Sequence, residues 1–393
     1  MRVLVLHNRY RQLGGEDRAV AAEIAMLRAR GVDVVYHEAD NSGGLVQLAT
    51  SSAWSDDSFR TVQKLCREVR PDIAHVHNFW ATLSPSVHAA CYAAGVPTVQ
   101  TLHNYRLFCV NALFLRNGAI CTDCLGNAPW RGVVHRCYNH SALASAAVAR
   151  MISSNRRRNT WANVDAFIAP SQHARSMFAA GGIDPARLHV KPNFAADPGP
   201  ALRPPSASRS IVYAGRLSPE KGVRTLLAAW IKSGLGDHGQ LAILGDGPEA
   251  GQLSHDVPGV RFLGRQDAAA VTNAIENARA VVVPSLCFET FGNTVVEAYA
   301  CSRPVIASDI GALGDLVDHD RTGLKFKPAD ETALADSLKR MLNDPTLADH
   351  LGSNARAEYL ARFTPGRNFE MLNEIYERVL CSEPAGKEMA TTV

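Results

Sequence analysis

The sequence predicts an α/β protein of two Rossmann-like domains facing across a cleft, and three observations carry that expectation. The chain has 393 residues, more than one ordinary core accommodates. Apolar runs of strand length alternate with helical stretches in both halves, the pattern of parallel sheets with right-handed crossovers. Between the halves the alternation stops at AADPGPALRPPSAS, which is rich in proline, alanine and serine and reads as a linker.

The first half opens with a buried-strand run, Val3 to Leu6, and a polar loop containing Gly14 and Gly15. A helix is expected from about Glu16 to Arg30, with Ala19, Ala22, Ile24 and Leu27 as its apolar face and Gly31 as its stop. Further strands are expected at Val32 to Tyr36, Ile73 to His77, Thr98 to Leu102 and Ala166 to Ala169. After the linker the strands are Ile211 to Ala214, Leu241 to Leu244, Val260 to Leu263, Val281 to Pro284 and Pro304 to Ala307, with a helix from about Gly222. A last helix, about Asn368 to Leu380, is expected to pack back on the first domain. The domain boundaries are therefore 1–195, with a Cys-rich insertion at about 104–140, then a linker 196–208, a second domain 209–366, and a returning helix and tail 367–393. The closing PAGKEMATTV reads as disordered.

At 46% hydrophobic and 20% charged, the composition is that of an ordinary globular protein. The start, MRVLVLHNRYRQ, is broken by arginines too early for a secretory signal, and the longest apolar candidate, Ala142 to Ile152, is short and holds Arg150. A cytoplasmic protein is expected, so the nine cysteines are not a disulfide ladder. Residues 1–200 carry 21 Lys and Arg against 14 Asp and Glu, and the remainder carries 20 against 24. That asymmetry suits peripheral contact of the N-terminal half with an anionic membrane face; scattered solvated arginines are the alternative. Nucleic-acid binding is not expected, because the basic residues are not interleaved with aromatics in a known module.

Ligands in parallel α/β sheets bind beyond the carboxyl ends of the strands, so the loops after each strand carry the chemistry. The first such loop is Gly215-Arg216-Leu217-Ser218-Pro219-Glu220-Lys221-Gly222. Ser218 suits an N-cap and Pro219 the first helical position, so backbone N–H groups and two cations gather where a diphosphate would sit. The second is Glu289-Thr290-Phe291-Gly292-Asn293-Thr294-Val295-Val296-Glu297. Gly292 lets backbone approach a ligand, and Asn293 and Thr294 offer amide N–H groups at a helix start. A carboxylate accepts hydrogen bonds only, which suits sugar hydroxyls: Glu289 for a transferred sugar, Glu297 for a ribose. A glutamate in VVEAYA, an apolar helix, is costly without such a partner.

GRLSPEKG followed by ETFGNTVVE resembles the retaining glycosyltransferase family four, of the GT-B fold and the glycogen-synthase-like group 1 superfamily. The resemblance extends over nearly the whole chain. It implies a nucleoside-diphosphate sugar donor, UDP- or GDP-linked, and a carbohydrate or lipid-linked acceptor. By this resemblance Arg216 and Lys221 hold the donor diphosphate, Glu289 binds sugar hydroxyls, Glu297 binds ribose, and Gly14 and Gly15 approach the phosphates. His103, in Thr101-Leu102-His103-Asn104-Tyr105, lies beside the donor sugar. Gly245, in Gly245-Asp246-Gly247-Pro248, should line the nucleotide pocket, and Arg265 falls in the base-contacting region. No catalytic metal is expected: the departing diphosphate is met by Arg216, Lys221 and helix N-termini, each well-placed donor contributing ~3–4 kcal/mol. Retention then implies a same-face displacement in which the leaving phosphate helps deprotonate the acceptor.

Cys109, Cys121, Cys124 and Cys137 are spaced C-x11-C-x2-C-x12-C, a set that suits a tetrahedral structural zinc; four reduced thiols are the alternative. His75 and His77 alternate on one strand, placed either for acceptor contact or as satisfied structural histidines. Arg156-Arg157-Arg158 reads as a solvated helix end or a contact for anionic headgroups. Three rival functions fit parts of the sequence. Gly245-x-Gly247-x-x-Ala250 meets a loose dinucleotide fingerprint, but an oxidoreductase leaves Glu289 and Glu297 without a role. A non-catalytic sugar-nucleotide binder would release no nucleoside diphosphate. A phosphorylase or epimerase would need no separate acceptor.

Overall fold

The structure is a computed structural model that describes residues 1–9, 14–41, 50–253 and 255–381. The closing segment read as disordered lies outside the described residues. Two compact units form, each around its own parallel sheet: the first from Met1–Phe114, Cys121–Pro192 and the residues from Phe369 on, the second from Leu115–Ile120 and Asn193–Asn368.

In chain order the strands begin β1 (Arg2–Arg9), β2 (Asp33–Asp40), β3 (Ile73–Asn78) and β4 (Thr98–Thr101). A short hairpin, β5 (Leu115–Arg116) and β6 (Ala119–Ile120), precedes β7 (Ala166–Ala169) and β8 (Leu188–Val190). The first sheet has the order β2-β1-β3-β4-β7-β8, parallel throughout, with Leu4 beside both Val35 and Ala74. Its central strands are buried on both faces, so they read as continuous apolar runs rather than alternating ones. β1 continues past Leu6 because His7 and Asn8, polar in sequence, find partners inside. His7 Nε2 lies 3.0 Å from Asp17 Oδ1, and Asn8 Oδ1 accepts from the amides of Thr82 and Leu83 at 2.9 and 3.1 Å. The first helix, Gly15–Ala29, buries Val20, Glu23, Ile24 and Leu27, and Gly31 in the left-handed region follows it. The last helix, Pro365–Cys381, returns to the first unit, where the buried Tyr376 hydroxyl lies 2.7 Å from His75 Nδ1.

The second unit holds β9 (Ser210–Ala214), β10 (Gln240–Leu244), β11 (Val260–Gly264), β12 (Ala280–Val283), β13 (Val305–Ser308) and β14 (Gly323–Phe326), in the order β11-β10-β9-β12-β13-β14. Alternate residues of β9 feed opposite faces: Ile211 and Tyr213 join Trp230 and Leu241, while Val212 joins Val281 and Tyr299. β14 and the helices Glu331–Asn343 and Pro345–Arg362, capped by Asp330 and Asp344, extend the unit beyond the strands read from sequence. The proline-rich stretch does not hang free. Ser206 donates its amide to Asp349 and accepts from Arg279, at 2.7 and 3.0 Å. Among the described residues no helix is long and apolar enough to cross a membrane.

Candidate functional site

In the second unit two strand-end loops are fastened together by backbone. After β9 the chain makes a 3-10 turn, Pro219–Lys221, and Gly222 adopts φ 70° before the helix Val223–Ser233 begins. A Cβ on Gly222 would stand 1.9 Å from the carbonyl oxygen of Pro284, so the loop after β12 lies directly against it. The Leu286 amide donates to the Glu220 carbonyl at 2.8 Å and closes the contact. Ser218 does not cap a helix, contrary to the sequence reading. The left-handed turn at Gly222 interrupts the helix there, and the Ser218 hydroxyl donates to Glu220 Oε1 at 2.6 Å.

This clamp brings Lys221 and Glu289 together: Nζ donates to Oε1 at 2.6 Å, and the Ser285 hydroxyl donates to the same oxygen at 2.7 Å. Both side chains are partly exposed, at 31% and 18%. Burial pushes the Lys221 pKa down, but the adjacent Glu289 carboxylate outweighs it and the ammonium is held above its ordinary range. Arg216 is exposed on the same loop, and its carbonyl accepts from the Tyr213 hydroxyl at 2.7 Å. Among the described residues its guanidinium has no ion-pair partner, so the loop offers one cation bound to a carboxylate and one uncommitted.

Glu297 is half-buried in the middle of the helix Asn293–Ala300. At that helix's start the Thr294 hydroxyl donates to the Ala214 carbonyl at 3.3 Å, and Asn293 Oδ1 accepts from Asn193 at 2.9 Å. Gly292 is tight, since a Cβ there would meet Leu313 at 2.9 Å. Phe291 points into the core, edge-on to Phe363 with centroids 6.3 Å apart, so its ring supports the loop from behind. Gly245 and Gly247 pack against Gly215 and Leu217, whose carbonyl oxygens a Cβ would meet at 1.8 and 2.3 Å. Those glycines are therefore demanded by loop packing, which removes the basis of the dinucleotide fingerprint. Arg265 is exposed just after β11.

The other candidates belong to the first unit. Gly14 begins the first helix, its amide donating to Asp17 Oδ2 at 2.7 Å, and a Cβ there would make only an ordinary contact at 3.8 Å. Gly15 is the first residue of that helix and half-buried. Next to it, Glu16 Oε1 is buried and, among the described residues, without a hydrogen-bond partner. Burial, reinforced by Asp17, pushes the Glu16 carboxyl up to about 8, against the pull of Asn104 and Arg106. A proton held more tightly when folded gives stability that is complete below the ordinary value near 4.5 and is lost as pH rises through about 8. Glu16→Gln should therefore melt close to wild type at about pH 5 and gain on it steadily up to about pH 8.5; parallel melting curves across that range would exclude a buried protonated Glu16.

His103 is partly buried, its Nε2 3.0 Å from His77 Nδ1. His75 and His77 lie within the core rather than at a surface. Around them, Glu23 on the first helix accepts from Lys191 Nζ at 2.8 Å. Sequence reasoning missed Glu23, although a glutamate between Val20, Ile24 and Leu27 interrupts the apolar face visibly. Ligand atoms of Glu23, His75 and His77 lie within 4.8 Å of one another, but the Lys191 ammonium already supplies the cation.

Burial pushes the Cys124 thiol up to about 11, with added repulsion from Cys109, Cys137 and Cys121. Burial pushes the Cys109 thiol up as well, against the pull of the backbone amides of Asn111 to Phe114. Among the described residues, no three of these sulfurs lie within 4.8 Å of one another. Of the three consecutive arginines, Arg156 donates to the Asn127 carbonyl at 2.7 Å and Arg158 covers the Trp54 ring at 5.0 Å.

The family model for glycosyltransferase family 4 matches residues 13–195, and the model for glycosyl transferases group 1 matches residues 208–344. Among relatives, the chain is 27% identical to a glycogen synthase of Mycobacterium tuberculosis (strain CDC 1551 / Oshkosh), over 76% of this chain and 66% of that enzyme's length. It thus spans just under two thirds of that enzyme. It is 26% identical to the alpha-D-kanosaminyltransferase of Streptomyces kanamyceticus, over 90% of this chain and 89% of that one. In fold it is similar to Anabaena HepE solved in complex with UDP-glucose, with a TM-score of 0.65, 18% identity, and coverage of 96% and 100%. It is likewise similar to sucrose-phosphate synthase of Thermosynechococcus elongatus, with a TM-score of 0.68, 19% identity, and coverage of 96% and 98%.

Proposed function

Since the chain belongs to glycosyltransferase family four and has the GT-B Rossmann-like fold, we propose that it transfers a sugar, with retention at the anomeric carbon, from a nucleoside-diphosphate sugar to a carbohydrate or lipid-linked acceptor. The observation that carries this reading is the clamped pair of loops that sets Lys221 against Glu289 and leaves Arg216 uncommitted beside them. A uridine diphosphate sugar is the first donor to try, because the Anabaena neighbour was solved with UDP-glucose.

In this reading Arg216 and Lys221 stabilise the departing diphosphate in place of a metal clamp, and Glu289, oriented by Lys221 and Ser285, grips hydroxyls of the sugar. Glu297 takes the ribose, Gly245 and Arg265 border the nucleotide, and the helix starts at Gly14-Gly15 and Asn293-Thr294 offer amides to the phosphates. The leaving phosphate accepts the proton of the attacking hydroxyl on the same face. A screen of sugar nucleotides by thermal shift tests the proposal. The true donor should raise the melting temperature of wild type but not of Arg216→Ala, and wild type should slowly release nucleoside diphosphate from it. A response to a nicotinamide cofactor alone would sink the reading.

Two further assignments belong to it. We propose that Cys109, Cys121, Cys124 and Cys137 close on one structural zinc, at sulfur distances of about 2.3 Å. Metal analysis should then find about one equivalent per chain, and less than a tenth would refute it. We also place the first unit against an acidic membrane face. The exposed apolar side chains Trp130, Val134 and Leu143 stand among the arginines of that unit, Arg131 and Arg136 included.

A further inference from the structure

Arg216 is exposed, and its guanidinium is the uncommitted cation of the two loops. A long side chain with that freedom loses entropy when it is fixed on a ligand, so where its charge stands depends on how firmly its backbone is held. The neighbours of Arg216 are tied to the end of β10 and the loop after it. The Gly215 amide donates to the Leu244 carbonyl at 3.0 Å and the Leu217 amide to the Asp246 carbonyl at 2.9 Å.

Arg216 itself is held by a residue of β9. Tyr213, only 3% exposed, lies two positions after Ile211 on the strand, and both belong to the cluster of Trp230 and Leu241. The Tyr213 hydroxyl donates to the Arg216 carbonyl at 2.7 Å, three residues on, and the Ser218 amide donates to the same oxygen at 3.1 Å. The glycine between them makes room for the phenol: a Cβ on Gly215 would stand 3.2 Å from the Tyr213 hydroxyl. A phenylalanine would fill the same place in the cluster. What the tyrosine adds is a polar atom that is costly to bury unless bonded, and its partner is Arg216. That atom stays a donor. Burial pushes the Tyr213 phenol well above its ordinary range, and the carboxylates of Glu289, Glu220 and Glu249 push it the same way.

We propose that Tyr213 is a positioning residue for donor binding: by holding the Arg216 carbonyl it aims the free guanidinium at the donor diphosphate. This rests on the assignment of Arg216 to the diphosphate in the preceding section. Tyr213 touches no substrate, and its effect reaches the donor only through Arg216. The two residues should therefore be coupled in donor binding, which a tyrosine with a merely structural role would not be.

A double-variant cycle on the full-length protein tests this. UDP and GDP are each titrated into wild type by calorimetry, and the nucleotide that binds is then measured with Tyr213→Phe, Arg216→Ala and the double variant. Arg216→Ala should raise Kd about 10-fold or more, and Tyr213→Phe about 5-fold. Once Arg216→Ala is in place, Tyr213→Phe should add less than about 2-fold. Melting temperatures without nucleotide register separately what the hydroxyl does for the fold. Wild-type affinity in Tyr213→Phe, or two losses that simply multiply, overturns the positioning role while a costly Arg216→Ala leaves the donor reading standing. Full affinity in Arg216→Ala, or no binding of either nucleotide to wild type, instead takes Arg216 away from the diphosphate, and then the earlier reading is what has failed.

Discussion

Replacing Glu289 with alanine is expected to lower kcat/KM for sugar transfer by about 10³-fold or more while the protein still folds. The carboxylate holds two donors at one oxygen, Lys221 Nζ and the Ser285 hydroxyl, at 2.6 and 2.7 Å. Its removal takes away the acceptor for sugar hydroxyls and frees the ammonium to leave its place. Lys221→Ala should do comparable damage from the other side, by leaving the carboxylate unoriented and the diphosphate short of a cation. The two residues act as a unit, so the double variant should lose much less than the product of the single losses. Stability should change little, by about 1 kcal/mol, because both side chains reach solvent. Sugar transfer followed by nucleoside diphosphate release checks this, and near-normal turnover in either single variant would remove the pair from the mechanism.

Gly222→Ala is expected to cost at least about 3 kcal/mol of stability, which lowers the melting temperature of a unit this size by roughly 5–10 °C. Two effects add. The φ of 70° is strained for any residue with a Cβ, and that Cβ would stand 1.9 Å from the Pro284 carbonyl oxygen. Relief requires the loop after β12 to move away, which parts Lys221 from Glu289, so donor-induced stabilisation should fall with the melting temperature. Gly14→Ala is the matched control, because φ there is −117° and the nearest atom to a Cβ is at 3.8 Å. Calorimetry of both decides the matter: a Gly222→Ala that melts with wild type would mean that the two loops are not held together by that contact.

Much of the fold was legible because buried parallel strands advertise themselves as apolar runs, and the two charged loops stood out by following such runs directly. What escaped had a common cause in polarity or distance. The run reads as ending at Leu6 because His7 and Asn8 look like loop residues until Asp17 and the amides of Thr82 and Leu83 pair with them. Ser218-Pro219-Glu220 looks like a helix start, and only the left-handed Gly222 turns it into a separate 3-10 turn. The cysteine spacing announced a cluster, and the other three thiols act electrostatically on Cys124, but spacing carries no sulfur-to-sulfur distance. Glu23 was visible as a misfit on an apolar face. Its partner Lys191, 168 residues further on, was not.

The Tyr376–His75 bond joins positions 301 residues apart and so bears on the order in which the chain becomes native. On the ribosome the six strands of the first sheet emerge long before the helix that completes their surroundings. Until Tyr376 arrives, His75 Nδ1, buried in the finished protein, is without its hydroxyl partner, and it stays so throughout synthesis of the second unit. The N-terminal unit is thus the first to be made and the last to be finished. A stop codon placed before residue 369 should accordingly cost that unit more than the one that directly precedes the cut.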